Sequence, residues 1–135
     1  MKYNKDLGKL LLRVSLALSL IFHGFHKLIH GHDFIISSLQ KNNLPEFLWL
    51  GVPLAELIAP LCLVLGILTR ISATAIMVTM IMTIVLVLGT TAFNMNKVGG
   101  LQGELNLLIF LVAASTIFIG PGRLRVFQGN NKWLI

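Results

Sequence analysis

The feature that most constrains this chain is residues 7–30, an apolar stretch long enough to cross a lipid bilayer as a helix. It carries five charged or titratable side chains, namely Arg13, His23, His26, Lys27 and His30. At about 100° per residue these five fall within roughly 140° of one another. A charge at the centre of the bilayer costs about 2.5–3.5 kcal/mol on insertion scales, so this face must look inward at protein or water. The other helices are therefore expected to close around this one.

The composition is that of an integral membrane protein. Of the 135 residues, 56% are hydrophobic and 12% are charged, whereas about a quarter of the residues of a soluble domain are charged. The net charge is +6, but the basic residues are spread between apolar runs, so no nucleic-acid partner is expected. The single cysteine, Cys62, excludes an intramolecular disulfide and a cysteine-based metal site. Arg13 interrupts the first apolar run, which is therefore expected to be retained rather than cleaved as a signal peptide.

Four apolar runs predict four helices, at about residues 7–30, 47–68, 71–93 and 104–119. Each is about long enough to span roughly 30 Å of hydrocarbon at 1.5 Å per residue. The expected fold is an all-α, four-helix transmembrane bundle that forms a single domain over residues 1–135. The loop at 31–44 is expected to hold a short helix along the membrane surface, with Asp33 as its cap.

The distribution of Lys and Arg predicts the orientation in the membrane. With both termini in the cytoplasm, the outer loops hold only Lys41 and Lys97, and the inner side holds Lys2, Lys5, Lys9, Arg70, Arg123, Arg125 and Lys132. The positive-inside rule therefore predicts that both termini are cytoplasmic.

Polar side chains converge in the half of the predicted bundle that lies away from the termini. Counted at 1.5 Å per residue, His23 and Glu56 are level and Lys27 is one helical turn further out. Pro60 lacks the N–H that would bond the carbonyl of Glu56, so the helix is expected to open there. The candidate ligand-binding or proton-exchange residues are His23, His26, Lys27, Glu56, Glu104 and Asn106.

Each candidate also has a plainer interpretation. A buried Glu56 needs a partner or a proton, so an ion pair with Lys27 or His23 that fixes the helix register is the structural alternative. Glu104 could simply favour a helix N-terminus through the dipole. Arg13 and Arg70 are expected to be structural: Arg13 bonded to backbone carbonyls or snorkelling, and Arg70 at the cytoplasmic boundary.

The histidines at 23, 26 and 30 have a spacing that can place several imidazoles beside one metal ion. No second cluster of histidine or cysteine residues lies on another predicted helix. The metal interpretation of His23, His26 and His30 is therefore the weaker one, and no metal is assigned. Haem is also not expected, because axial histidines on an opposing helix are lacking.

Five motifs stand in order along the chain: Arg13 with residues 22–28 (FHGFHKL), Glu56, residues 65–70 (LGILTR), residues 103–105 (GEL) and residues 120–123 (GPGR). In this order and at these spacings they resemble the DoxX family of small bacterial membrane proteins. The resemblance implies four helices in the bacterial inner membrane and an association with quinol oxidase or thiosulfate:quinone oxidoreductase activity. The chain departs from the family pattern at three places: His26 replaces a common Gln, Ala59-Pro60 replace a glycine-rich stretch, and Ser-x-Asp is lacking after residue 123.

The expected function is that of a redox-linked accessory subunit that binds a small, partly apolar molecule, with quinone the first candidate. A quinone needs an apolar slot for its ring and hydrogen-bond partners at its oxygens. His23 or Lys27 could donate to those oxygens, and Glu56 could exchange a proton. The sequence shows no electron carrier, so besides the lipid bilayer a partner redox enzyme or a homo-oligomer is expected. The alternative is a non-enzymatic small-molecule carrier or a membrane assembly scaffold.

Overall fold

The computed structural model describes residues 4–126, so Lys2 and Lys132, two of the charges that predict the orientation, lie outside the described residues. The described part is helical, apart from loops and an isolated bridge between Met95 and Leu101. We number the helices α1 (Lys5–His30), α2 (Asp33–Lys41), α3 (Glu46–Leu65), α4 (Thr69–Phe93) and α5 (Glu104–Ile119). The predicted all-α class is confirmed.

Three of these helices, α1, α3 and α4, are long and apolar enough to cross a membrane. With 16 residues, α5 is a shorter apolar helix that packs most extensively along α4. The core where the four long helices meet is built from Leu, Ile, Met and Ala, including Leu20, Leu63, Ile76, Met80 and Ala113. Many large apolar side chains are exposed on the outside, among them Leu11, Phe25, Leu61, Ile71, Leu108 and Phe118. An apolar exterior around a packed core fits a helix bundle surrounded by lipid.

Asparagine and glycine residues define the helix ends. The side chain of Asn4 accepts a hydrogen bond from the N–H of Leu7 at 3.1 Å and so caps α1. The sequence predicts α3 to end at about residue 68, but it ends at Leu65, because Gly66 adopts a left-handed conformation with φ of +71°. In α2 the capping position is held by His32 and lacks a side-chain hydrogen bond. The prediction that Asp33 caps this helix is therefore wrong: Asp33 is its first residue.

The helices define two ends of the bundle. At the terminal end, α1 begins near the α3–α4 turn, and the segment after α5 lies against both, with the N–H of Val126 bonded to the carbonyl of Leu65. At the far end, α2 packs against the start of α3 and the last turns of α4. The far end also contains two π-helical segments, Leu54–Ile58 in α3 and Thr83–Leu88 in α4. Such segments occur often at functional sites.

Candidate functional site

The far half of the bundle contains a buried ion pair between α1 and α3. Glu56 is only 2% exposed, and its Oε1 accepts a hydrogen bond from Nζ of Lys27 at 2.5 Å. Lys27 is 36% exposed along its side chain, so the pair is buried on the side of Glu56 and only partly covered on the side of the lysine. Its Cα lies one turn beyond the level of Glu56, but helical side chains point toward the helix N-terminus. Lys27 therefore reaches back one turn to the carboxylate.

A glycine brings α1 and α3 close enough for this pair to form. A Cβ placed on Gly24 would lie 2.8 Å from the carbonyl oxygen of Glu56 and 2.9 Å from its Cβ. Both distances are shorter than normal van der Waals contact, so a larger residue at 24 would push the helices apart. The close approach occurs within the π-helical segment Leu54–Ile58, where the N–H of Ala59 donates to the carbonyl of Leu54. This π-helical segment contains Glu56, the residue at which the missing N–H of Pro60 predicts an interruption of the helical hydrogen bonds.

The second carboxylate oxygen of Glu56, Oε2, is buried and has no hydrogen-bond partner within residues 4–126. A buried charged group left without a partner is costly. Glu56 lines a cavity of about 80 Å³, which we call the polar cavity. Its other lining residues are Leu20, His23, Lys27, Met80, Thr83, Leu105, Asn106 and Ile109. A cavity of this volume has room for several water molecules or a small polar group.

Asn106 and Thr83 add hydrogen-bonding groups to the polar cavity. Nδ2 of Asn106 lies 3.6 Å from the sulfur of Met80, a weak acceptor, so this amide can donate to a better one. The hydroxyl of Thr83 donates to the carbonyl of Thr79 at 2.9 Å and keeps its own lone pairs as acceptors. The cavity wall thus combines a carboxylate, an ammonium, an amide and a hydroxyl.

Of the two histidines predicted as site residues, His23 and His26, only one lines the polar cavity. His23 lines the polar cavity, although it is exposed overall and its Nδ1 bonds the carbonyl of Ser19 at 2.7 Å. His26 is exposed and stacks on His30, with ring centroids 4.0 Å apart, so it does not line this cavity. Among residues 4–126, no group of three or more potential ligands is arranged to hold a metal ion.

The expectation that one polar face of α1 would be enclosed is therefore only half met. Arg13 is 1% exposed and Lys27 contacts the bundle, but His26 and His30 lie outside it. The reason is geometric: an arc of roughly 140° is wider than the face that the neighbouring helices cover.

The remaining predicted residues lie away from the polar cavity. Glu104 is exposed and accepts the N–H of Leu101 at 3.1 Å, so it orders the turn that enters α5. Arg13 donates through Nη1 to the carbonyl of Leu63 at 3.1 Å and through Nη2 to that of Leu124. Arg70 is half-buried at the terminal end, where it lines a groove between α4 and α5.

A second cavity of about 180 Å³, which we call the apolar cavity, lies between α2, α3 and α4. It shares Lys27 and Thr83 with the polar cavity, and its other lining residues are Phe34, Ile35, Ser38, Leu39, Leu48, Gly51, Val52, Thr79, Met82, Leu86 and Val87. This cavity is not among the features predicted from the sequence. The available signal was the apolar side, Phe34, Ile35 and Leu39, of the short helix predicted along the membrane surface in residues 31–44.

The chain was compared with known proteins in three ways. The family model described as DoxX matches residues 8–89, which are more than half of the chain. The comparison with curated proteins and the comparison with solved structures gave no significant match. The matched region includes Arg13, Lys27 and Glu56, whereas Asn106 and the motif at residues 120–123 lie beyond it. Together with the long apolar helices, the match establishes that this multi-pass membrane protein belongs to the DoxX family.

Proposed function

We propose that all four long helices cross the bacterial inner membrane and that both chain ends face the cytoplasm. The 16 residues of α5 give about 24 Å at 1.5 Å per residue, close to the lower limit for a span, and its packing along α4 supports the same path. The described charges support the orientation. Lys5, Lys9, Arg70, Arg123 and Arg125 belong to the terminal end, whereas Lys41 and Lys97 belong to the far end.

We further propose that the polar cavity binds a quinone-like small molecule and that the protein is an accessory subunit of a membrane oxidoreductase. One observation carries this proposal: Glu56 is almost completely buried, yet one of its two carboxylate oxygens has no partner in residues 4–126 and the residue lines a cavity. Intramembrane ionisable residues are functional candidates by default. A ligand hydroxyl or a water molecule at Oε2 would remove the cost of the unpaired oxygen.

The chemistry of the cavity wall matches the oxygens of a quinone. A quinone carbonyl is an acceptor, and both the ammonium of Lys27 and the amide of Asn106 are donors. Reduction to the quinol adds two electrons and two protons. The electrons would come from a partner enzyme, Glu56 would pass one proton to one oxygen, and His23 or Lys27, which line the same cavity, would pass the second proton to the other. The partner would therefore be a redox enzyme.

The test is to purify the protein in detergent and identify the extracted small molecules by mass spectrometry. Wild type is compared with Glu56→Gln and with Glu104→Gln, which alters an exposed carboxylate that does not line the cavity. We expect a quinone in wild type and in Glu104→Gln, and a reduction of at least about tenfold in Glu56→Gln, equivalent to about 1.4 kcal/mol. Equal amounts in all three proteins, or no quinone in any of them, would overturn the proposal.

A second candidate function is a membrane carrier or an assembly scaffold without redox chemistry. The observation that favours it is the Lys27–Glu56 pair itself, because an ion pair between two helices can fix their register without any ligand. A ligand-free protein whose partner enzyme keeps its activity with Glu56→Gln would support the scaffold. Small-molecule uptake that depends on this chain, without bound quinone, would support the carrier.

A further inference from the structure

We propose that the apolar cavity beneath α2 holds a hydrocarbon chain attached to the molecule whose polar head lies at Glu56. The proposal rests on the proposed function and narrows the ligand class to membrane-resident molecules with a polar ring and a long apolar chain. A soluble ring compound would use the polar cavity alone.

The two cavities adjoin, which is the first argument. Lys27 and Thr83 line both, so a molecule that bonds the ammonium of Lys27 lies at the entrance to the apolar cavity. The apolar cavity, at about 180 Å³, has more than twice the volume of the polar one, at about 80 Å³. Most of the combined volume of the two cavities therefore lies in the apolar cavity, where it is available to the apolar part of the ligand.

The second argument is that the hydroxyl donors lining the apolar cavity already have acceptors. Ser38 donates to the carbonyl of Phe34 at 2.8 Å, and Thr79 donates to that of Ala75 at 3.0 Å. Thr83 likewise donates to Thr79. When a side-chain hydroxyl bonds its own helix, it leaves no unpaired donor that would favour water or a polar ligand. The rest of the lining is almost entirely apolar, so the cavity suits hydrocarbon.

The third argument is the position of α2. Its apolar residues Phe34, Ile35 and Leu39 form one wall of the cavity, and the other walls are α3 and α4. A cavity between a short helix and two long apolar helices is bounded by the elements that meet the acyl region of a bilayer. A hydrocarbon chain could therefore pass from the lipid into this cavity without crossing a polar surface.

The chain also offers a clean way to fill the cavity. Gly51 lines it in a right-handed helical conformation, and a Cβ at this position would meet no atom within 4 Å. Gly51→Leu therefore adds side-chain volume at the cavity without a backbone clash. Val52→Phe, at the neighbouring lining position, is a second filling variant in case the first does not fold. Gly51→Ala is the matched control, because it adds only one methyl group.

The experiment measures binding of two probes by quenching of tryptophan fluorescence in detergent. The probes are a benzoquinone without a side chain and the same ring with a decyl chain. We expect wild type and Gly51→Ala to bind the decyl probe at least about tenfold more tightly, since burying two methylenes already gives that factor at about 0.8 kcal/mol each. Gly51→Leu and Val52→Phe should lose this preference and keep their affinity for the ring alone.

The outcomes separate the two proposals. If wild type binds both probes equally through Glu56, or if folded filling variants keep the preference, the hydrocarbon chain lies elsewhere and the inference is overturned, while the proposed function stands. If Glu56→Gln binds the decyl probe as wild type does and Gly51→Leu does not, the cavity takes chains and the quinone function fails. Decyl alcohol serves as a probe that has the chain but no ring. If neither quinone binds, but the alcohol binds to wild type and not to Gly51→Leu, the inference is supported. If the alcohol does not bind to wild type either, the inference is overturned.

Discussion

The two basic side chains Arg13 and Lys27, near opposite ends of α1, have contrasting surroundings. At the terminal end, the guanidinium of Arg13 is 1% exposed and donates to two backbone carbonyls, and Arg13 lines neither the polar cavity nor the apolar cavity. At the far end, Lys27 is partly exposed, pairs with a carboxylate and lines two cavities. Both residues are charged positions on an apolar helix, so the sequence pattern alone does not distinguish them.

The difference shows which charges in a membrane helix indicate a ligand. Leu63 lies in the last turn of α3, and its carbonyl accepts the N–H of Gly66 at 3.1 Å as well as Nη1 of Arg13. Arg13 also donates to a carbonyl in the segment after α5, which ties three parts of the chain together. Within residues 4–126, Nε of Arg13 and Oε2 of Glu56 are both buried without a partner, but of the two residues only Glu56 lines the polar cavity. A buried charge with an incomplete set of partners and adjacent space is therefore the better indicator of a binding site.

A glycine supports the close contact at each end. At the terminal end, a Cβ on Gly66 would clash with Nη1 of Arg13 and would lie 2.6 Å from Cβ of Arg125. At the far end, Gly24 has the corresponding contact with Glu56. Gly66 also has a positive φ and Gly24 does not, so the terminal contact has less freedom to adjust.

The largest effect should follow from removing the structural charge. Arg13→Met removes the hydrogen bonds from the guanidinium to the carbonyls of Leu63 and Leu124, although Leu63 keeps the one from the N–H of Gly66. A hydrogen bond to a charged group contributes about 1.5–3 kcal/mol. We expect the free energy of unfolding in a denaturing-detergent titration to fall by about 3 kcal/mol or more. The control is Arg123→Met, because Arg123 is exposed and bonds Asp6 through its backbone N–H. If both variants lose the same amount of unfolding free energy, the hydrogen bonds of the Arg13 guanidinium do not contribute the stability expected of them.

A smaller loss is expected from Gly66→Ala, which tests the packing around the same guanidinium. The left-handed conformation costs a residue with a Cβ about 1–2 kcal/mol, and the Cβ would also displace Arg13. The expected total is about 2–3 kcal/mol by the same titration. Gly8→Ala in α1 meets no atom within 4 Å and should be neutral or stabilising by up to about 1 kcal/mol. If Gly66→Ala has the same free energy of unfolding as Gly8→Ala, the Gly66–Arg13 contact is less tightly packed than its geometry indicates.

The smallest effect on stability should come from the far end. Lys27→Met leaves Glu56 without its cation and is expected to cost about 1–2 kcal/mol, because the lysine is partly exposed. Adding Glu56→Gln should restore most of that loss, since a neutral amide needs no cation. The measurement is a double-mutant cycle of unfolding free energies. If the losses of unfolding free energy in the two single variants add up in the double variant, Lys27 and Glu56 do not stabilise each other, and the pairing is contradicted.

The fold could be predicted from the sequence because apolar runs and their breakers indicate helices directly. The end of α3 is instructive: residues 67 and 68 continue the apolar run, so the pattern extends the helix past them, whereas Gly66 has already turned into the left-handed region. A glycine at such a position is compatible with either outcome. In this chain the helix ends there, and the N–H groups of Gly66 and Ile67 bond the carbonyls of Leu63 and Cys62.

The site could be predicted only in part. Counting along two helices placed Lys27 and Glu56 near the same depth, and the structure brings them together. The same counting gave His26 equal weight, because periodicity gives the angles between residues of one helix but not the direction of its neighbours. The apolar cavity could not be predicted, although one of its walls is the apolar side of the 31–44 segment. Empty space is what remains after several helices have packed, and it depends on side chains such as Leu39 and Leu86 together.

The hydrogen bond from Arg13 to Leu124 also has a consequence for biogenesis, because 111 residues separate the two partners. At a synthesis rate of about 5–20 residues per second, the ribosome needs roughly 6–20 s to make the acceptor after the donor. During that interval α1 enters the bilayer with a guanidinium that lacks one of its final partners. The side chain must then stay near lipid phosphates or water. Completion of the C-terminal segment should therefore be the event that draws Arg13 into the protein and fixes the depth of the first helix.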